Sequence, residues 1–153
     1  MIKSDDPSVR EDPYNLQRFI TAQERIYDTV LAELRGGQKR SHWMWYIFPQ
    51  IYGLGHSPTA QHYAIKSLGE ARQYLNHPVL GARLLECAEA VVAIEGLSVS
   101  AIFGYPDDLK LKSSMTLFAS ITEDPHCVFI RVIEKYFHGE PDERTLHLLE
   151  NLS

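Results

Sequence analysis

The chain has 153 residues, 44% of them hydrophobic, which is enough for one globular domain with a substantial core. Its formal net charge of -5 at pH 7 would repel phosphate backbones and argues against nucleic acid as a partner. No apolar run reaches membrane-spanning length, and Cys87 and Cys127 form no metal-ligand spacing. We therefore expect a cytoplasmic protein with reduced thiols, no membrane association, no metal and no cofactor.

The N-terminal residues differ in composition from the rest of the chain. Residues 1–11 are polar and are expected to form a flexible leader. No later linker, repeat or low-complexity tract divides the sequence. The sequence thus predicts a single helical domain over residues 12–153.

The first predicted helix begins at Asp12-Pro13 and ends at Gly36-Gly37. An aspartate before a proline is typical of a helix start, because the carboxylate caps free amides and proline suits the first turn. Apolar residues then recur at helical spacing up to the two glycines. The spacing predicts one long helix whose buried face includes Phe19, Ile26 and Val30.

Residues 41–55 form an aromatic block that holds both tryptophans of the chain. Pro49 excludes a long helix and the glycines exclude a long strand, so we expect one helical turn followed by an irregular loop. The block also carries His42 and Gln50, polar residues that a purely apolar core segment does not need. A loop of this mixed kind is typical of a pocket wall.

Helix signals recur through the remainder of the chain. Ser57-Pro58 predicts a short helix, with a short strand at residues 63–65 as the alternative. Ser67 and Glu70 have the spacing of a capping box. The chain is expected to break at His77-Pro78, with further helices after Pro78, Ser98, Asp108 and Asp124-Pro125. The helix after Asp124-Pro125 should close at His138-Gly139, and a last helix bears Leu146 and Leu149. The fold class is predicted to be mainly α, a compact multi-helix single domain with at most a minor short sheet.

Five segments, residues 12–19, 42–50, 81–84, 103–104 and 110–118, closely resemble an uncharacterised bacterial family, domain of unknown function eighteen-ten. The resemblance runs from about residue 12 to the C-terminus and implies a compact, mainly helical fold without an established activity. Some members of the family are labelled calpastatin. This sequence has no calpain-inhibitor repeat and is too apolar for that disordered inhibitor, so the label implies no function here.

A weaker resemblance concerns residues 57–63. They are similar to the Pro-Thr-x-Glu-His-Tyr region of the NADAR-type N-glycosidases, enzymes associated with ADP-ribose and riboflavin-pathway glycosides. Gln61 stands where that pattern has Glu, and Lys66 falls closer to His62 than the pattern's lysine does. The resemblance implies a nucleotide-like or N-glycosidic ligand, whereas the amide of Gln61 cannot act as a general base.

The candidate site residues are chosen by chemical capacity. Carboxylates can stabilise an oxocarbenium-like centre or activate water, and imidazoles can carry protons near neutral pH. The candidate catalytic residues are Asp108, Glu70, His42 and His62. Stacking faces, positive charge and hydroxyls suit an anionic, ring-containing ligand. The candidate ligand-binding residues are Trp43, Trp45, Tyr46, Gln50, Lys112, Ser113 and Ser114.

Each of these carboxylates also has a structural interpretation. Asp107 or Asp108 can cap the helix that follows, Glu70 can complete a capping box, and Asp108 with Lys112 can form a surface ion pair. Because both segments carry polar groups that their local structure does not need, we expect the aromatic block to meet the helix that begins near Asp108. The shared cleft should bring His42, Trp43 and Gln50 toward Lys112 and Ser113.

Three function classes are compatible with the sequence. The first is an enzyme that hydrolyses a nucleotide-like or N-glycosidic metabolite, and the second is a noncatalytic domain that binds such a metabolite in the same pocket. The third is a protein-interaction module with Trp43, Trp45 and Tyr46 as exposed anchors. A deep cleft favours the first two classes, and a flat exposed aromatic patch favours the third.

Overall fold

The computed structural model describes residues 11–152 and contains ten helices within that range. They are α1 Gln17–Gln23, α2 Tyr27–Arg35, α3 Met44–Ile47, α4 Pro58–Tyr63, α5 Leu68–Asn76, α6 Leu80–Ala93, α7 Val99–Phe103, α8 Asp107–Ser120, α9 Val128–Phe137 and α10 Glu143–Glu150. Extended pairing in this range is limited to one isolated parallel bridge between Ile51 and Ile65. The predicted mainly α single domain is confirmed. Apart from Glu11, the predicted leader lies outside the described residues.

The long first helix predicted from the sequence is wrong, because the chain bends between α1 and α2. Asp12 caps as expected, accepting the amides of Leu16 and Gln17 at 2.9 Å each. Asn15 has a left-handed φ of 52°, which delays the start of regular helix to Gln17. Ile26 then has a φ of -119°, outside the helical range, and separates α1 from α2. The apolar spacing continues across this bend, so periodicity alone did not reveal it.

Helix α8 lies at the centre of the molecule and packs against α9, α7 and α10. Its apolar residues Leu111, Met115, Leu117 and Phe118 are fully buried. Three hydroxyls of the same helix, those of Ser113, Thr116 and Ser120, donate to its own carbonyls, as Thr116 Oγ1 does to Lys112 O at 2.8 Å. This local bonding lets polar residues occupy a helix that is surrounded by other elements.

Aromatic rings join α1 to the rest of the core. The ring of Phe19 lies edge-on to Tyr74, with centroids 4.9 Å apart, and 5.8 Å from the ring of Tyr63. The Tyr74 ring in turn lies 5.6 Å from Phe118 on α8. Helix α1 is therefore tied to α4, α5 and α8 through contacts of aromatic side chains.

The local start and stop signals are mostly confirmed. Three serines predicted as N-caps accept an amide of the following turn, at 3.0 to 3.1 Å: Ser57, Ser67 and Ser98. His138 adopts a left-handed φ of 59° and closes α9. Within residues 11–152, every helix falls short of the length and apolarity that crossing a membrane requires.

The buried ring of Phe19 provides a test of the packing. Phe19 is 0% exposed, so Phe19→Ala should leave a cavity and lower the free energy of unfolding by about 3–5 kcal/mol. Chemical denaturation of the two proteins measures the difference. Leu85→Ala is the control, because Leu85 is 42% exposed and its truncation should cost less than about 1 kcal/mol. A loss below about 0.5 kcal/mol for Phe19→Ala would show that α1 is not part of the core.

Candidate functional site

Glu33 on α2 fixes the entry into the aromatic block. Its carboxylate accepts Trp43 Nε1 and the Arg40 amide at 2.8 Å, the Ser41 amide at 3.1 Å, and the Ser41 hydroxyl. Trp43 is 1% exposed. The indole of Trp43 is therefore a core side chain held by a carboxylate, and it offers no face to a ligand.

These hydrogen bonds affect the titration of Glu33. Partial burial by itself would raise the pKa of the Glu33 carboxyl, but donors from Ser41, Arg40 and Trp43 favour the ionised form. Their combined effect lowers the pKa below its ordinary value. The charged form of Glu33 therefore stabilises the folded protein.

The aromatic block meets the start of α8, as predicted, but through other residues than predicted. The Lys110 ammonium lies 4.8 Å from the ring centroid of Trp45 and 3.2 Å from Asp107 Oδ1. Asp107 Oδ2 lies 2.8 Å from the ammonium of Lys39, which precedes the block. Lys110 and Asp107 thus occupy the positions expected for Lys112 and Asp108.

Lys112, Ser113 and Ser114 lie apart from the aromatic block. The Lys112 ammonium is 5.7 Å from the ring centroid of Phe137 on α9. The Ser113 hydroxyl donates to Leu109 O at 3.1 Å, a bond within α8. Ser114 is 0% exposed and its hydroxyl has no hydrogen-bond partner within the described chain. All three side chains contact α8 itself or its packing partners. They therefore do not form the cleft that we expected between α8 and the aromatic block.

Asp108 and His42, two of the candidate catalytic residues, do not form one site with each other. Asp108 is 9% exposed and accepts the Ser100 hydroxyl at 3.1 Å and the Leu109 amide at 2.9 Å. The bond from Ser100 ties α7 to α8, and the bond from Leu109 lies within α8. Both favour the structural interpretation of Asp108. The His42 side chain is exposed, and its carbonyl accepts the Tyr46 hydroxyl at 3.3 Å.

Trp45 and Gln50 line a narrow cleft with Tyr63 and neighbouring small residues. The cleft has a volume of about 10 Å³, room for about one water molecule. The Tyr46 ring packs against Tyr63, with centroids 5.2 Å apart. At Trp45, Tyr46 and Gln50 the aromatic block therefore forms a wall of the core, and the cleft there has no room for a ring-containing ligand.

A roomier groove lies between the start of α1 and the chain from α4 to α5. Its volume is about 420 Å³. Its lining contains two of the four candidate catalytic residues, Glu70 and His62. We call it the Arg18–Glu70 groove and define it by Pro13, Tyr14, Asn15, Arg18, His62, Lys66, Ser67 and Glu70.

Arg18 forms the floor of the Arg18–Glu70 groove. Its side chain is 7% exposed, and its Nη2 lies 2.7 Å from Glu70 Oε2. The guanidinium makes five hydrogen bonds, matching its five N–H groups. The other four acceptors are the carbonyls of Tyr14, Asn15, His62 and Ala64, at 2.7 to 3.0 Å. Arg18 therefore has no N–H left for a ligand, and it acts as a clamp between α1 and residues 62–70.

Glu70 is held from two sides. Its Oε1 accepts the Lys66 amide at 2.9 Å while its Oε2 faces Arg18, and the residue is 2% exposed. Its own amide donates to the Ser67 hydroxyl at 3.0 Å. The predicted capping box is thus half formed, because the carboxylate reaches the amide before Ser67.

The rim of the groove carries groups that are free to meet a ligand. The Lys66 side chain is exposed and makes no ion pair with any residue from 11 to 152. The exposed His62 ring lies edge-on to Tyr63, with centroids 4.6 Å apart. Tyr14 Oη packs so tightly on Gly69 that a Cβ there would lie 2.4 Å from it. Two cations and one carboxylate leave the groove with one positive charge, before any contribution from His62.

Three charged or aromatic residues of this groove were not among the candidate site residues chosen from the sequence: Arg18, Lys66 and Tyr14. Tyr14 and Arg18 belong to the family-like segment 12–19, but no local spacing marks them as site residues. The acceptors of Arg18 on the other side of the groove lie 44 to 52 residues further along the chain. Only the folded structure brings these groups together.

Two other kinds of site, a metal centre and a reactive thiol, find little support among the described residues. Among residues 11–152, no group of three or more His, Cys, Asp or Glu is placed to hold a metal ion. Burial raises the pKa of the Cys87 thiol to about 12. That thiol is protonated and unreactive at neutral pH.

Comparison with known proteins identifies the family. The family described as a protein of unknown function (DUF1810) matches residues 13–149, and the chain belongs to it. The chain is 52% identical to the conserved hypothetical protein Rv1873 from Mycobacterium tuberculosis, whose crystal structure superposes with a TM-score of 0.88. The match covers 91% of this chain and 99% of that one. Comparison with curated proteins gave no match.

The hydrogen bonds of Glu33 predict a specific response to acid. Because its folded pKa is depressed, its contribution to stability is full above the unfolded pKa of about 4.3 and is lost as the pH falls through the folded pKa. Glu33→Gln should therefore show a shallower fall in the free energy of unfolding below about pH 4.3. Denaturation series at several pH values measure the slopes.

The matched control for Glu33→Gln is Glu123→Gln, since Glu123 is exposed and forms no side-chain hydrogen bond among the described residues. The control should retain the wild-type slope. If Glu33→Gln also retained it, the four hydrogen bonds would not stabilise the charged form of Glu33.

Proposed function

We propose that this chain binds a small anionic, ring-containing metabolite in the Arg18–Glu70 groove. The observation that carries the proposal is the exposed Lys66 ammonium, which lacks a carboxylate partner in the described structure, at the rim of a groove of about 420 Å³. The whole chain has a net charge of -5, whereas the groove has an excess of positive charge. A local positive field of this kind attracts an anion that the rest of the surface repels.

The rings at the groove support a nucleotide-like or N-glycosidic ligand. Tyr14 and His62 line it, and a planar base can pack against such faces. His62 also belongs to residues 57–63, the segment similar to the NADAR-type N-glycosidases. The residue types and their positions thus favour the ligand class expected from the sequence. The proposed place of binding is the groove instead of the aromatic block.

Binding is better supported than hydrolysis. In a hydrolytic version, Glu70 would stabilise an oxocarbenium-like centre and His62 would carry the proton. The Glu70 carboxylate, however, is already paired with Arg18 at 2.7 Å. The positive charge of Arg18 offsets the negative charge that would stabilise such a centre, so the ion pair favours a binding role for Glu70.

The alternative of a protein-interaction module is less well supported. Such a module needs exposed aromatic anchors. Trp43 is 1% exposed, Trp45 lies beneath the Lys110 ammonium, and Tyr46 packs on Tyr63. These positions count against the aromatic block as a docking surface.

The proposal predicts that Lys66→Ala weakens the binding of ADP-ribose, used as the probe, by about tenfold or more. The cause is the loss of a charge-assisted hydrogen bond to phosphate. The melting temperature should not change, because the Lys66 side chain makes no ion pair in the described structure. Isothermal titration beside melting curves measures both quantities.

Arg72→Ala is the matched control. Arg72 is exposed on the same helix as Glu70 and does not line the groove. The substitution removes one positive charge, as Lys66→Ala does. The affinity of the variant should stay within about twofold of wild type. Equal losses in the two variants would indicate a general charge effect. If ADP-ribose, NAD and riboflavin precursors all failed to bind the wild type, the proposed function would be contradicted.

A further inference from the structure

The Glu70 carboxylate has acceptor capacity that residues 11–152 do not use. The side chain is 3% exposed and lines the Arg18–Glu70 groove. Each oxygen accepts one hydrogen bond, Oε1 from the Lys66 amide and Oε2 from Arg18. An ionised carboxylate offers about four acceptor positions. About two positions therefore remain for donors that enter the groove.

The groove consequently combines two opposite demands on a ligand. At the rim, the Lys66 ammonium offers donors and a positive charge to an anion. At the floor, the Glu70 carboxylate can only accept hydrogen bonds and disfavours an anion placed against it. Lys66 and Glu70 are four residues apart in sequence and line the same groove. A ligand that satisfies both must carry an anionic group at one end and hydroxyl donors at another.

Resting on the proposed binding function, we infer that the groove recognises a phosphorylated sugar through a vicinal pair of hydroxyls. The two hydroxyls donate to the two unused acceptor positions of Glu70, while the phosphate pairs with Lys66. Arg18 contributes by holding the carboxylate in place, and Ser67 holds the Glu70 backbone through its hydroxyl. Nothing in this recognition requires a covalent step.

The test compares D-ribose 5-phosphate with 2-deoxy-D-ribose 5-phosphate, which lacks one of the vicinal hydroxyls. Isothermal titration of the wild-type protein should show at least about tenfold weaker binding of the deoxy compound, because a hydrogen bond to a charged acceptor is lost. In Glu70→Gln, the ratio of the two affinities should fall towards one. A melting curve of Glu70→Gln establishes whether that variant is folded, and the wild-type comparison decides the question by itself.

The outcomes separate this inference from the proposed function. If both sugar phosphates bind the wild type with equal affinity, and Lys66→Ala weakens both, the hydroxyl recognition is overturned and binding in the groove stands. The same holds if ADP-ribose binds in a Lys66-dependent way and neither sugar phosphate binds. If both sugar phosphates bind and Lys66→Ala weakens neither, they bind elsewhere and the inference is overturned. The proposed function fails with it only if Lys66→Ala also leaves the affinity for ADP-ribose unchanged.

Discussion

The guanidinium of Arg18 is the constraint on which the candidate site depends. It reaches from α1 to the carbonyls of His62 and Ala64 and to the buried carboxylate of Glu70. Together with the ring contacts of Phe19 with Tyr63 and Tyr74, these bonds set the distance between the two sides of the groove. A buried arginine that uses every donor also relieves the cost of burying Glu70, because the two charges and their hydrogen bonds compensate one another.

A second carboxylate, Glu33, has a comparable role on another part of the molecule. It gathers donors from Arg40, Ser41 and Trp43 and thereby orients the aromatic block against the core. The two carboxylates differ in what surrounds them. Glu33 serves the packing of a tryptophan, whereas Glu70 lines an open groove next to Lys66, which makes no ion pair within residues 11–152. This difference is why we propose ligand recognition at the groove and a structural role for the aromatic block.

Much of the helical architecture could be predicted because its signals are local. Serine caps, the break at His77-Pro78 and the left-handed closure at His138 act within a few residues. The bend at Ile26 could not be predicted, since the apolar spacing is the same on both sides of it. At this bend the end of α1 makes tertiary contacts, such as the hydrogen bond from Gln23 to Tyr46 O at 2.7 Å. Helix periodicity does not encode such contacts.

The candidate site was predicted only in part, for a related reason. Glu70 and His62 were identified from chemical type and nearby motifs, and both line the groove. Arg18 was missed because its partners are distant in sequence. Lys110 instead of Lys112 meets the aromatic block, a difference of about half a helical turn that decides which face of α8 a side chain occupies. Such a choice depends on the rotation of a helix about its axis, and in α8 the polar and apolar residues do not separate onto opposite faces that would reveal it.

The most direct test of this account is a double-mutant cycle on the buried ion pair, with Arg18→Met, Glu70→Met and the double variant compared by chemical denaturation. Each single change should cost about 3–5 kcal/mol, because it leaves the remaining charge buried without its partner. The double variant should be more stable than the sum of the single effects predicts, with a coupling energy of at least about 2 kcal/mol. A coupling energy below about 0.5 kcal/mol would contradict the claim that this pair holds the groove together.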